Sequence, residues 1–289
     1  MDISIIIVNY NTLQMTQECI DSIFEKTEGV EFEVVLVDNA STDGSKDHFE
    51  HDGRIKYIYS EDNLGFGRAN NLGAQSALGK YLLLLNSDTL FVENILKVFF
   101  EFMENHQTYA ACGCNLVDKD YREVASHGCL PSLKMELLNN LFNRLCLSYY
   151  KNKLSIGQTI KYGNLNDTGY LAGADIFIRS DVFEIMKGFD PLIFMYFEET
   201  DLFARMKKAG MKCCVIPDHK IIHLVGGSFG VKREKQLQRA KWYEKSKIYY
   251  YRKNHGVKYA FCVKIATIFS ILISRRIGKF DMIKVIVNA

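Results

Sequence analysis

The 289-residue chain lacks the marks of several protein classes. Its eight cysteines form no couplets at zinc-site spacing: Cys112 and Cys114 stand one residue apart with no second pair to match, so they read as buried thiols. Neighbours such as Cys213 and Cys214 fit no disulfide framework, which points to a reducing, cytoplasmic setting. The apolar stretch Ile3 to Val8 is too short for a signal peptide and follows Asp2 without a basic region. The most apolar segment, Phe261 to Ile273, is interrupted by Lys264 and is too short to span a bilayer. No internal repeat or low-complexity tract is present. Gly65-Phe66-Gly67 begins like a dinucleotide fingerprint, but the place of the third glycine is held by Asn70, and a Walker-type loop is absent. Those two nucleotide-binding classes are therefore excluded. What remains at Gly65 is a turn whose backbone N–H groups could cradle phosphate at a helix start.

The chain is organised around Tyr81 to Asp88, YLLLLNSD. Its apolar residues do not alternate with polar ones, so both faces of the segment are expected to be buried, as in the middle of a parallel sheet. The run stops at Asn86-Ser87-Asp88, where a central strand would emerge at the carboxyl edge of the sheet, the edge at which open α/β folds bind ligands. The same tripeptide would serve equally well as a turn and helix cap. The pattern recurs. Ser4 to Val8 ends in Asn9-Tyr10-Asn11, and Phe32 to Val37 ends in Asp38-Asn39. Ile55 to Tyr59 and Tyr109 to Val117 read as further strands, with helices over Thr12 to Lys26, Ala69 to Ala77 and Val92 to His106. This alternation predicts an α/β fold with a mostly parallel central sheet flanked by helices.

Beyond it, Pro131 to Leu147 has helical apolar spacing and reads as a packing helix, a cover for a site mouth or a membrane contact. Tyr170 to Arg179 reads as a strand with small residues at its start. Phe194 to Leu202 places Glu198, Glu199 and Asp201 at a helix start, where capping accounts for one or two of the three carboxylates. Cys213 to Ile216 is expected as a short strand, and Ile221 to Ser228 sets His223 beside a glycine-rich bend.

Charge is unevenly spread. Residues 232 to 284 hold 15 Lys and Arg against Glu234, Glu244 and Asp281, a balance of +12; of the totals of 36 basic and 34 acidic residues, this leaves 21 and 31 elsewhere, or −10. Residues 231–289 therefore read as a basic, partly apolar helical extension on a body formed by residues 1–230. An anionic membrane surface and nucleic acid would both suit such a tail. Its apolar segment, read as an interfacial helix or one docked on the core, favours the membrane, and nucleic acid is not expected as a partner. Oligomeric state is not readable.

Taken in order, SIIIVNYN, VDNASTDGS, DNLGFGRANNLG, LNSD, the GAD segment, GFDPLIFMYFEETDL and IHLVGGS resemble glycosyltransferase family 2, over roughly Ile3 to Ser228. The similarity is strongest to its rhamnosyltransferase-like subgroup. It implies a Rossmann-like GT-A fold and inverting transfer from a UDP- or dTDP-sugar to a glycan or polyprenyl-linked glycan in bacterial surface polysaccharide synthesis. Carried over by motif, Asn9 and Tyr10 frame the nucleoside and Asp38 bonds the base. Asn63, Gly65 and Arg68 lie along the diphosphate. Asn86 stands where the family has the first acid of its DXD motif, and Asp88 matches the last, the ligand for Mg²⁺ or Mn²⁺. His223 adds a metal or phosphate contact. Glu199 stands in the place of the general base, with Asp201 as second choice. A glutamate replaces the family's usual aspartate there. The processive motif Q-x-x-R-W is broken in Gln238-Arg239-Ala240-Lys241-Trp242, which implies one sugar per encounter. The substitutions at Asn86 and Glu199 also admit a non-catalytic subunit that keeps the fold for binding within a membrane-associated assembly.

Overall fold

Two apolar runs set the architecture. In the computed structural model, which describes residues 1–137, 168–224, 233–272 and 279–289, the first run is strand β1 (Ile3–Asn9) and the second is β4 (Tyr81–Asn86). They pair in parallel, Ile3 opposite Tyr81 and Val8 opposite Asn86. Ile3, Ile5, Ile7, Leu83 and Leu85 point into one apolar layer, while Ile6, Leu82 and Leu84 point into the other. This is why neither run alternates: each face of the strand meets its own helices.

The first layer is completed by α1 (Leu13–Lys26), through Ile20 and Ile23, and by α4 (Ile95–Asn105), through Phe99 and Met103. The second is completed by α6 (Ser180–Ile185) and α7 (Glu198–Lys208), through Phe183, Leu202, Phe203 and Met206. Around them the chain adds β2 (Phe32–Asn39), α2 (Ser45–Phe49), β3 (Lys56–Ser60), α3 (Phe66–Ala74), β5 (Thr89–Phe91), β6 (Tyr109–Val117), β9 (Asp175–Arg179) and β10 (Lys212–His223). Their strand order in one eight-stranded sheet is β3-β2-β1-β4-β9-β6-β10-β5. Pairing is parallel from β3 to β4. It then reverses, because β9 runs antiparallel to both β4 and β6. The strands β7 (His127–Gly128) and β8 (Tyr170–Leu171) form a separate small ribbon, and α5 (Leu133–Leu137) follows β7.

Several boundaries differ from the sequence pattern. The segment from Tyr170 to Arg179 is two strands, because Ala172 bonds back to Ser126 and the chain re-enters the sheet only at Asp175. Helix α3 starts three residues earlier than its apolar pattern, at Phe66, since the Gly65 turn already sets its first residues. Strand β10 is continuous from Lys212 to His223, with an irregularity between Ile216 and Lys220 that hides its period. Of the helix expected from Pro131 to Leu147, residues 131–137 are described and Leu133–Leu137 is helical; the rest lies outside the described residues, as do Gly226, Gly227 and Ser228. The described cysteines are all free thiols.

The remaining helices are α8 (Arg233–His255), α9 (Val257–Leu272) and α10 (Lys279–Asn288). Ile248, Tyr250 and Tyr251 of α8, Val263 and Ile271 of α9, and Met282 and Ile286 of α10 form a third apolar cluster with Ala204 of α7 and Phe197 just before it. Each such side chain contributes about 1.5–3 kcal/mol on burial, so this extension is docked on the body rather than tethered to it. One face of α9 is thereby covered. Its opposite face leaves Phe261, Ile265, Phe269 and Leu272 exposed. Among the described residues no helix is long and apolar enough to cross a membrane.

Candidate active site

The ends of β1, β2 and β4 lie side by side, with Asn9 opposite Asp38 and Val8 opposite Asn86. Their polar side chains are bonded largely to one another. The Asn9 carbonyl oxygen accepts from the Thr12 N–H at 3.2 Å and from the hydroxyls of Thr12 and Thr16 at 2.8 and 3.1 Å, and its amide donates to Ser41 at 3.2 Å. Asp38 is fully buried and accepts from the Ser41 N–H at 2.9 Å and the Tyr57 hydroxyl at 2.8 Å. Burial and the Asp38 charge together hold the Tyr57 phenol well above its ordinary range. The Thr12 hydroxyl also lies 3.0 Å from Ser87, which ties the first loop to Asn86-Ser87-Asp88. Tyr10 stands exposed on this edge.

The loop before α3 joins the same edge. Asn63 accepts from the Asn39 amide at 3.1 Å and from the Gly65 N–H at 2.9 Å. Gly65 has φ +78°, and a Cβ there would lie 2.1 Å from the Phe194 carbonyl oxygen, so only glycine fits. The Arg68 Nε donates to the Leu64 carbonyl at 2.6 Å, and among the described residues its terminal nitrogens have no protein partner.

His223 reaches this edge from β10, which pairs antiparallel with β5 so that His223 faces Thr89. The Leu224 N–H donates to the Asp88 carbonyl at 2.8 Å, and Asp88 Oδ1 lies 3.2 Å from His223 Nε2, with Asn86 Nδ2 at 3.4 Å. Residues 135 positions apart thus form one polar cluster. Among the described residues no group of three or more His, Cys, Asp or Glu could hold a metal. A carboxylate and an imidazole suit a hard divalent ion that keeps water and phosphate oxygens as its other ligands.

The carboxylates of α7 stand in a different environment. Tyr196 and Phe197 have φ +66° and +69°, left-handed values that non-glycine residues adopt at a cost. They turn the chain so that Glu198 is buried with Oε2 unpartnered among the described residues. Burial, and then the Glu199 charge, hold Glu198 well above the carboxylate range. Burial also pushes Glu199 up to about 7, against the opposing pull of the Glu199 and Thr200 backbone N–H groups. Glu199 lines a cavity of about 190 Å³ with Tyr170, Tyr196 and Tyr243. Two cavities of about 500 Å³ elsewhere contain none of these carboxylates.

Asp201 is placed otherwise. It is fully buried, and it accepts from Arg205 and Lys253 at 2.8 Å each and from Asn254 at 2.9 Å. Its oxygens are occupied in joining α7 to α8. The two halves of the site touch: the Phe66 N–H donates to the Phe194 carbonyl at 3.2 Å, and a Cβ on Gly67 would lie 3.5 Å from Glu198 Cβ. Thr12, Ser41, Tyr57 and Tyr243 were not singled out in the sequence. The first three are ordinary loop and strand residues with no spacing signal, and Tyr243 stands in a basic helix beside the more conspicuous run Tyr249-Tyr250-Tyr251.

Similarity to known proteins points the same way. A 107-residue region, 36% of this chain and 17% of its relative, is 36% identical to an uncharacterised glycosyltransferase of Rickettsia conorii. Over 215 residues, 68% of either chain, the sequence is 25% identical to the N-acetylglucosaminyl-diphospho-decaprenol L-rhamnosyltransferase of Mycobacterium tuberculosis. Among solved structures, the mannosyltransferase PcManGT of Pyrobaculum calidifontis, bound to GDP-Man and Mn²⁺, superposes with a TM-score of 0.60 at 14% identity, covering 98% of this chain and 78% of that one. These likenesses agree with a GT-A-type fold. The sequence model of glycosyl transferase family 2 matches residues 4–157, more than half of the chain, and the protein belongs to that family.

Proposed function

We propose that the protein transfers a single sugar, with inversion, from a UDP- or dTDP-sugar to a glycan or polyprenyl-linked glycan acceptor in bacterial surface polysaccharide synthesis. The observation that carries this reading is Glu199, a carboxylate that burial pushes up to about 7 and that lines a cavity, while its neighbour Glu198 packs against Gly67 at the start of α3. A general base works best when its pKa lies near the operating pH. In this reading Glu199 takes the proton of the acceptor hydroxyl while that oxygen forms a bond to the anomeric carbon. The bond from that carbon to the diphosphate oxygen breaks on the opposite face, and the nucleoside diphosphate leaves with the electron pair.

The donor is assigned to the strand-end edge. Asp38 bonds the base, Asn9 and Tyr10 frame the nucleoside, and Asn63, Gly65, Arg68 and Asn86 face the diphosphate, the Gly65 N–H itself being held by Asn63. Asp88 and His223 would hold Mg²⁺ or Mn²⁺, which offsets charge on the leaving diphosphate. Family membership and the Mn²⁺-bound fold neighbour support that assignment. The relative that acts on a diphospho-decaprenol substrate supports the lipid-linked acceptor. The division into residues 1–230 and a helical extension, 231–289, belongs to the same reading. So does attachment at the inner membrane face, through the exposed stripe of α9 and its basic neighbours.

Thermal unfolding with UDP, dTDP, GDP and CDP, each with and without Mn²⁺, tests it. A ligand of the native state at a hundredfold excess over its Kd adds about 2.7 kcal/mol, so one pyrimidine diphosphate should raise the Tm in a metal-dependent way. No shift with any of them contradicts the donor site. A shift without turnover over an acceptor panel would make the chain a binding subunit instead.

A further inference from the structure

We propose that the C-terminal extension builds the acceptor half of the site, as an aromatic slot for one neutral sugar ring closed by Tyr243 of α8. The inference rests on the transferase reading above and adds what the acceptor must be and which element recognises it.

The cavity beside Glu199 is walled by tyrosines from three separate parts of the chain: Tyr170 of β8, Tyr196 of the strained turn and Tyr243 of α8. At about 190 Å³ the cavity is smaller than the roughly 300–1,000 Å³ of pockets that bury drug-sized ligands, the scale of one pyranose ring rather than of a longer glycan. A pyranose has an apolar C–H face and a hydroxyl rim. Tyrosine matches both, offering a ring face and a polar tip. Among the described lining residues there are two carboxylates, Glu136 and Glu199, and no lysine or arginine. A uronic acid or a phosphorylated sugar would therefore find no cation in this described lining to hold its charge, which disfavours both.

The wall is held in place from behind. One turn along α8 from Tyr243, Lys247 is buried and pairs with Glu244 at 2.7 Å and Glu136 at 3.0 Å, and it donates to Thr267 of α9 at 3.2 Å. Burial alone would lower the Lys247 pKa, but Glu244 and Glu136 hold its ammonium above the ordinary value, so the cluster stays charged. Its Nζ also lies 5.7 Å from the centre of the Tyr243 ring. The cluster thus fixes α5, α8 and α9 to one another directly behind the slot, which gives a stretch outside the family match a part in recognition. On the other side, Tyr196 lines the cavity from a strained, left-handed backbone, at φ +66°.

The test uses methyl glycosides as probes, followed by saturation-transfer NMR on the full chain. The probes are the methyl glycosides of glucose, galactose, rhamnose, N-acetylglucosamine and glucuronic acid. At least one neutral probe should bind through its ring protons, while the glucuronide should not. Tyr243→Ala should weaken that binding at least tenfold and Tyr243→Phe less than threefold. Tyr196→Gly supplies a second variant: glycine suits the left-handed backbone and offsets part of the packing lost with the ring, so this variant should stay folded yet lose binding tenfold. Metal-dependent nucleotide binding should be unchanged in all three variants. Failure of every neutral probe to bind overturns the proposal, as does full binding by Tyr243→Ala or Tyr196→Gly, or a preference for the glucuronide. If the parent binds sugars in this way but no nucleoside diphosphate, the slot stands and the transferase reading falls.

Discussion

The two halves of the site are built on opposite principles. At the strand ends, Asn9, Asp38 and Asn63 each make hydrogen bonds to neighbouring loops, so that edge holds its shape without a ligand. At the start of α7, Glu198 is buried with an unpartnered oxygen, Glu199 is pushed up to about 7, and the two residues before them are left-handed. The first half is stabilised by its polar groups; the second is destabilised by them. Substitutions on the donor side should therefore cost stability, and those at the carboxylate pair should cost turnover while leaving the fold more stable. Such opposition is common where activity needs a group that folding alone would not favour.

The largest effect is expected at Glu199. Glu199→Gln should lower kcat by about 10²- to 10⁴-fold, the usual contribution of a general base, with nucleotide binding unchanged. In the parent enzyme kcat should rise with pH through about 7, as the carboxylate loses its proton. A flat pH profile would remove Glu199 from the base role. Next in size is the support behind the acceptor wall. Lys247→Met removes the buried ammonium that Glu136 and Glu244 share, and breaking such a buried pair costs about 3–5 kcal/mol, measurable by denaturant unfolding. A loss under 1 kcal/mol would mean the cluster does not fix the extension.

Asp88→Ala comes third. It should lower turnover about 10²- to 10³-fold and abolish the metal dependence of nucleotide binding. Retention of that dependence would move the metal away from Asp88 and His223. The smallest expected effect is Tyr57→Phe, which removes one hydrogen bond to Asp38 and should cost about 1 kcal/mol of stability without changing kcat. A kcat loss there exceeding tenfold would blur the distinction between the halves.

How far the sequence anticipates this picture follows the same divide. The strands were legible because a doubly buried strand must be almost wholly apolar, and Ile5 to Val8 and Tyr81 to Leu85 are. Asp38 and Asp88 were legible because each ends such a run. The proximity of His223 to Asp88 was readable only through motif order, since nothing local links residues that meet across β5 and β10. The reversal at β9 left no trace, because an antiparallel central strand is as apolar as a parallel one. Of the α7 acids, all three satisfy the same helix-start pattern, and what separates Glu199 from Asp201 is long-range: Lys253 and Asn254 reach Asp201 from α8, some 50 residues further on. The aromatic slot depends on residues from three separate regions, which no single stretch of sequence displays.

The most direct test is the Tm of the parent and of Glu199→Gln, measured from pH 4 to 9 with turnover followed in parallel. The Glu199 pKa is raised from an ordinary 4.5 to about 7 in the folded protein. Between those values the native state holds a proton that the unfolded chain has released, so stability falls as pH rises through this window and the deficit persists above it. Glutamine carries no such term. The variant should match the parent near pH 4, pull ahead between pH 4.5 and 7, stay ahead at higher pH, and be nearly inactive throughout. A variant that melts with or below the parent at every pH, or one that still turns over, would contradict the view that this carboxylate is kept for chemistry at the expense of the fold.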